Sequence, residues 1–546
     1  MVKTRARARG QAWLAGLTVT LTLGACRGPD VISLGGELAT GPERFLSPTG
    51  DDMNPGTFDS PWRTFAHAIP KLAPGMTLEC KPGTYEPGTT GTLNVRCGDA
   101  GAQSTVPSPV RGPNGAQGNV ITVRSYGDRT AILSGDGRTP PISIESCQHW
   151  AIEGFYAKSQ NVDPQGTNPD TGGVAVLDGG NQDVALRRLL LAQPNQNFAK
   201  SHLIRIGDGS SHVTIEKNEL YDFHASAIEV WRSDTPFISL NYINSRDLKD
   251  LPDGPLTADG ARGDFGVRLQ ETSNALVENN VVDDVSIAFA VVGRDPDVDA
   301  STPLHATSAN HLLGNVAYDL GTIGFVIDSQ CAGNNPCDGA HIVSGTYLDN
   351  DVVYRAGTGI YDFGSSGTNV ERVSIVDAAR AAYLIKDKHN AAVPTMSTVR
   401  DTLALGFQSV AFSGDTSQPS WAFDHCAASG GYNAAYYYEP DNVSNITNKV
   451  TVTPDLGSCI VYLPMNSVLR MGAATVGANI IYQYDALGQL TTAPVWGSSF
   501  AGCGGMFEGV NYFPSGPKKP SCSDVLTQLN VNLPATASSP GCPLPL

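Results

Sequence analysis

Three short segments each set an ionisable residue between two aliphatics: Ile204-Arg205-Ile206, Ile228-Glu229-Val230 and Val267-Arg268-Leu269. Successive side chains of an extended strand leave opposite faces. If the aliphatics turn inward, Arg205, Glu229 and Arg268 therefore turn outward. Trp231 and Gln270 follow on the same outward side, and Asp222, His224 and Arg232 lie in adjoining turns. Guanidinium groups bind carboxylates bidentately, and an indole face can stack on a pyranose. The insert between the second and third segments adds Lys249 and several aspartates. The candidate catalytic residues are thus Arg205, Glu229, Arg268, His224 and Lys249, with Trp231, Arg232 and Gln270 as substrate contacts. A plainer explanation competes with this one. Opposite charges on adjacent strands pair for about 0.2–1 kcal/mol each, and a solvated face needs polar residues.

The elements that position these residues repeat. "LIRIGDGSSHVTIEKNEL" (203–220), "AIEVWRSDTPFISLNYI" (227–243) and "FGVRLQETSNALVENNVV" (265–282) share one grammar, in which an alternating strand, a polar turn and a second apolar strand come with an asparagine. Asn218, Asn241, Asn280, Asn315 and Asn350 lie 23, 39, 35 and 35 residues apart. The longer intervals hold the inserts 246–264, 293–309 and 328–340. An underlying period of roughly 20–25 residues, carried by short strands and polar turns, indicates a solenoid whose coils must stack to bury their apolar faces. Asparagine tolerates left-handed turn geometry, and its amide can bond to the next coil. A β-sandwich would instead show Asn-Gly or Asp-Gly hairpin turns, which are scarce here.

"FLSPTGDDMNPGTFDSPWRTFAHAIPKLAPGMTLECKPGTY" (45–85) resembles the opening of bacterial right-handed parallel β-helix proteins of the pectate-lyase-like superfamily. The resemblance extends to about residue 415. It implies an all-β, right-handed parallel β-helix with an N-terminal capping helix. The residues fit that expectation. Ser60 suits an N-cap, Pro61 the first helical position, and Trp62, Phe65, Ile69 and Leu72 a stripe of helix 61–72 that can cover the open end of the apolar solenoid. Gly83 serves the turn into Tyr85.

The start of the chain has a basic segment (Lys3, Arg5, Arg7, Arg9) and an apolar run too short to span a bilayer, as in a secretory signal. Its Leu23-Gly24-Ala25-Cys26 ending resembles a bacterial lipobox, which implies lipidation of Cys26. The expected organisation is a signal at 1–25, a tether at 26–44, the β-helix at 45–415 and a Cys-rich extension at 416–546 packed on the last coils. Ten further cysteines in an exported chain suggest disulfides. Cys80–Cys97 would tie the first coil and Cys331–Cys337 would staple an insert, leaving Cys147 without an evident partner. No CxxC spacing points to zinc. The net charge is −17, and loss of the four basic signal residues makes it −21. That balance argues against nucleic acid. An anionic polysaccharide would need a local basic patch or a bound cation.

The resemblance implies a cell-surface lipoprotein, a monomer, that binds polysaccharide. The activity it points to most directly is β-elimination of an acidic glycan. The alternatives are a non-catalytic adhesin and a β-helix glycoside hydrolase. Lyases of the superfamily use a Lys or Arg base and neutralise the uronate carboxylate with calcium or basic residues, so calcium is the one cofactor implied. Their motifs do not map onto this chain. Ala258-Asp259-Gly260 lacks the paired aspartates expected downstream, and Asp222–Ala225 only faintly echoes the Asp-Pro-His-Asp of alginate epimerases. The paired aspartates and Gly-His-Gly of polygalacturonase-type hydrolases are missing too. Asp295, Asp297 and Asp299 alternate like a calcium loop, but Ala300 and Ala306 occupy the EF-hand Gly and Glu positions. Lys386, beside Asp387, Lys388 and His389, offers a second base position that fits a surface turn better.

Overall fold

The computed structural model describes residues 42–98, 109–137, 139–159, 173–192, 202–207, 209–245, 263–294, 305–329, 341–386 and 397–405. It also describes 407, 410–413, 421–424, 426–429 and 446–447. The chain is a right-handed parallel β-helix. Each regular coil gives one long strand and two short ones, as in Ser226–Trp231, Phe237–Ser239 and Tyr242–Asn244. The long strand of one coil pairs in parallel with that of the next, and the short strands do likewise. One sheet of 14 strands forms the second wall. A sheet of 22 strands contains both the long-strand wall and the third wall. Among the described residues no helix is long and apolar enough to cross a membrane.

Parallel strands buried on the inside favour β-branched and aromatic residues. In-register stacking places like side chains above one another, so Phe289 pairs with Phe325 and their rings stack at 4.9 Å. The polar exception inside is a ladder of amides. Asn218 Nδ2 donates to Asn241 Oδ1, Asn241 to Asn280 and Asn280 to Asn315, at 2.9–3.0 Å. The backbone N–H of each donates to the same acceptor. The fifth rung is Asp351 and not Asn350. Asn315 donates to the Asp351 carboxyl from both its N–H and its amide. Asn350, one place earlier, occupies the left-handed corner at φ 61°.

Several expectations are corrected near the N-terminus. The helix begins at Phe65, with Thr64 as its N-cap, and turns into a tighter 3-10 turn at Ile69–Lys71. Residues 61–63 are held extended instead: Trp62 bridges Leu46, and the Asp52 carboxylate accepts from the N–H groups of Arg63 and Thr64. The Trp62, Phe65, Ile69 and Leu72 stripe is nevertheless buried as a cap requires. Gly83 takes a left-handed φ of 135° beside Pro48.

The disulfide joins Cys97 to Cys147, and Cys80 is a buried free thiol. Register explains this. Leu93–Arg96 pairs with Ile142–Glu145, which carries Cys97 and Cys147 to a Cα separation of 4.7 Å on neighbouring coils. Cys80 instead pairs with Leu46 and Ser125 on another wall. The ladders also continue past residue 415, through Trp421–Asp424 to Ile446–Thr447. Cys331 and Cys337, the tether and most of the extension lie outside the described residues.

Burial pushes the Asp351 carboxyl well above its ordinary range, against the hydrogen bonds from Asn315 that favour the ion. Its unfolded-state value is near 3.8. Above that pH the unfolded chain gives up a proton that the folded chain keeps, so Asp351 lowers stability as pH rises. Asp351→Asn, which supplies the same acceptor without a titrating group, should match the parent's melting temperature near pH 3.5. It should exceed the parent increasingly toward pH 7 in a series of thermal melts.

Candidate functional site

The long-strand wall brings the outward residues together as alternation dictates. Ile204, Ile206, Ile228, Val230, Val267 and Leu269 are buried in the core. Arg205 pairs in register with Glu229, Glu229 with Arg268, and Trp231 with Gln270. At the start of each strand the alternation slips. Leu203 and Ile204 are consecutive core residues, as are Ala227 and Ile228. That slip turns His202 to the same side as Glu229, where strict alternation from Arg205 would point it inward.

His202 Nδ1 lies 2.8 Å from Glu229 Oε2, and Arg268 Nη1 lies 3.4 Å from Glu229 Oε1. The histidine N–H is not squarely aligned on the oxygen, a looseness common where a site tightens only around its ligand. Burial alone would raise the Glu229 carboxyl. The bond and charge of His202, with the charges of Arg268 and Arg205, outweigh it and hold the group down at about 2. Glu229 is therefore an anion at neutral pH and cannot serve as a base or acid there. It fixes the imidazole by engaging Nδ1, which leaves Nε2 to accept a proton. The arginines are placed by aromatic rings: Arg205 Cζ is 5.9 Å from the Trp231 ring and Arg268 Cζ is 5.2 Å from that of Phe265, both within cation–π reach.

The other expected residues divide. His224 lies in the turn before the second strand, its carbonyl accepting from Asp264 N–H at 2.7 Å. Burial raises the Asp264 carboxyl, opposed by the charges of His224 and Arg268. This places His224 at the border of the site. Arg232, expected as a substrate contact, is largely covered. It sits at a left-handed corner, 3% exposed, with Nε 3.8 Å from the buried Glu271 and its guanidinium 5.2 Å from the Trp231 ring. Its place is to back that ring. Gln270 is largely covered at 6% exposure, and Asp222 is fully buried. Lys249, the 258–260 and 295–299 aspartates and 387–389 lie outside the described residues. Among the described residues no three His, Cys, Asp or Glu side chains are grouped to hold a metal ion.

An alternating charge ladder is not in itself a site. The second wall carries Arg124, Glu153, Arg187 and Glu216 in register, with Arg187 3.6 Å from Glu153 and 3.3 Å from Glu216. Those four positions hold carboxylates and guanidiniums alone, and the wall's imidazole–carboxylate contact, His149 with Asp183 at 3.4 Å, lies outside them. The long-strand wall adds an imidazole bound to the central carboxylate and a tryptophan beside the arginines. His202 is the residue of this cluster that the sequence pattern missed. Its only sequence signal is the two apolar residues, Leu203 and Ile204, between it and Arg205.

Residues 195–345, which contain this site, match a family model described as a right-handed β-helix region. A stretch of 132 residues is 31% identical to the uncharacterized protein YwoF of Bacillus subtilis (strain 168), covering 23% of this chain and 24% of that one. The match thus spans about a quarter of that relative's length. Among solved structures, a rhamnogalacturonan lyase is 13% identical over 73% of this chain and 90% of its own, with a TM-score of 0.43. The protein XylC, in complex with xylose, is 9% identical over 76% and 87%, with a TM-score of 0.46. A mannuronic acid specific polysaccharide family 6 lyase from human gut microbiota is 12% identical over 75% and 90%, with a TM-score of 0.41. Identities this low speak to fold alone.

Because the folded Glu229 carboxyl lies below its ordinary value of 4.5, its contribution to stability is present above pH 4.5 and is lost as pH falls toward about 2. Glu229→Gln should melt at a lower temperature than the parent at pH 7. The gap should close progressively between pH 4.5 and 2 when both are followed by circular dichroism.

Proposed function

We propose that this protein is an exported, lipid-anchored monomer that binds an acidic polysaccharide on its long-strand wall and cleaves it by β-elimination. The observation that carries the reading is the His202–Glu229 contact set between Arg205 and Arg268. A uronate carboxylate seated on the two guanidiniums has its charge neutralised, which makes the C5 proton more acidic. His202 Nε2 takes that proton. The electron pair of the C5–H bond forms the C4–C5 double bond, the C4–O bond breaks, and the departing oxygen takes a proton from water. Glu229 keeps the ring oriented and stabilises the imidazolium that forms. Trp231 offers a face for the neighbouring sugar. In a chain this acidic, such a local basic patch offsets the general repulsion of a polyanion.

A non-catalytic glycan binder is the second reading, favoured by the Arg268–Glu229 pairing that already engages one guanidinium with the protein's own carboxylate. Incubating the mature chain with uronate polymers, in calcium and in chelator, separates the two. The proposal expects ultraviolet absorbance from an unsaturated product. His202→Gln should lower kcat by roughly 10²–10⁴-fold with KM little changed. Binding without product would establish the adhesin, and new reducing ends without unsaturation a hydrolase. The calcium and chelator arms decide whether the cation has a part.

The anchor is separable from the fold. Cys26 precedes a Gly- and Pro-containing segment (27–44) without sustained periodicity, as suits a tether. Acyl chains hold a protein at a bilayer because each buried methylene contributes about 0.8 kcal/mol. Cys26→Ser should move the protein from the detergent phase to the aqueous phase on phase partitioning and leave its melting curve unchanged. Retention in the detergent phase would place the anchor elsewhere.

A further inference from the structure

The charged site occupies only part of its wall. Beyond Arg268 its column continues through Ala290, Val326 and Tyr361. The column of Gln270 continues through Val292, Asp328 and Phe363. Ala290, Val292 and Val326 form an apolar cluster of their own, separate from the core, with Phe265, Ile287, Ile323 and Tyr361 packed around it half-buried. Ala290, Val292 and Val326 are themselves buried, so the surface this cluster offers is its half-buried rim of Phe265, Ile287, Ile323 and Tyr361. It is continuous with the charged site, because the ring of Phe265 carries the Arg268 guanidinium at 5.2 Å. At its far side Tyr361 and Phe363 stack with ring centroids 5.5 Å apart and an angle of 20° between them. No arginine or lysine stands in either column between Arg268 and Phe363. A second uronate bound there would lose its water without gaining a counter-charge.

We infer that the glycan held on this wall is a heteropolymer. A uronate seated at Arg205 and Arg268 is followed along the helix axis by uncharged sugars, whose apolar faces lie on the half-buried rim of Ile287 and Ile323 and on the Tyr361–Phe363 ring stack. Coils advance by ~4.8 Å, close to one sugar unit of an extended chain, so the three register steps from Arg268 to Tyr361 correspond to about three units. Sugars with no carboxylate present C–H faces that stack on aromatic rings, whereas a uniform polyuronate would set a carboxylate at every step. The inference rests on the reading that the arginines take a uronate.

The experiment compares binding of deacylated gellan, with one glucuronate in each tetrasaccharide repeat, and of polygalacturonate, charged at every unit, by the intact protein in calorimetry. Gellan should bind at least tenfold more tightly. Tyr361→Ala and Phe363→Ala should each weaken gellan about tenfold and leave polygalacturonate unchanged, while Arg268→Ala should weaken both. Thermal melts confirm that the variants fold, and Tyr361→Leu, which keeps apolar volume without the ring, should behave as Tyr361→Ala. Equal affinity for the two polymers, no binding of gellan, or indifference of gellan to the ring variants overturns the inference. If Arg268→Ala changes neither affinity, the uronate reading itself falls.

Discussion

The interaction on which the rest depends is the buried amide ladder from Asn218 to Asp351. Each rung accepts an N–H and a side-chain amide from the coil before it and gives its own to the coil after it. Stacking by hydrophobic burial alone is non-directional and tolerates sliding. A buried amide does not, because a slipped rung would strand donors inside the solenoid at about 1–3 kcal/mol apiece. The ladder therefore fixes which residue stands above which. It also explains why an aspartate can close it: with its charge suppressed by burial, the Asp351 carboxyl presents the acceptor an asparagine would.

Once register is fixed, the outward columns follow, and with them the chemistry. Arg205 and Glu229 lie 24 residues apart, and Glu229 and Arg268 lie 39 apart across the 246–264 insert, yet they align to one step per coil. The field of two arginines and one histidine converges on Glu229, which stays ionised although largely buried. The same wall then passes within a few coils to an apolar surface. A single wall thus presents opposite chemistries in sequence along one axis, an arrangement suited to a long ligand lying parallel to that axis. The second wall, built by the same rules, carries its own charge pairs and one imidazole–carboxylate contact, His149 with Asp183, but no arginines flank that contact in register.

The fold was legible because its period is written in short alternating strands and in asparagines that mark each turn. The outward placement of Arg205, Glu229 and Arg268 was legible for the same reason. His202 was not, since it depends on a local break in alternation where Leu203 and Ile204 both turn inward. The Cys97–Cys147 bond joins adjacent coils across 50 residues, a proximity that arises from strand pairing and not from spacing along the chain. The helix start shifted from Ser60 to Thr64 because the side chain of Asp52, 12 residues away, captures the backbone that Ser60 and Pro61 would have begun to wind. In each case a contact between distant segments overrode a sound local signal.

Register sets Arg205, Glu229 and Arg268 in one column and His202 beside it on the same face, the arrangement proposed to take a uronate. That proposal is tested most directly by a crystal structure of the protein with a bound uronate oligosaccharide. The account predicts the sugar carboxylate on the Arg205 and Arg268 guanidiniums, with C5 facing His202 Nε2 and Glu229 still on Nδ1. A sugar bound on another wall, or arginines that leave the Glu229 column while the ladder from Asn218 to Asp351 stays intact, would contradict it.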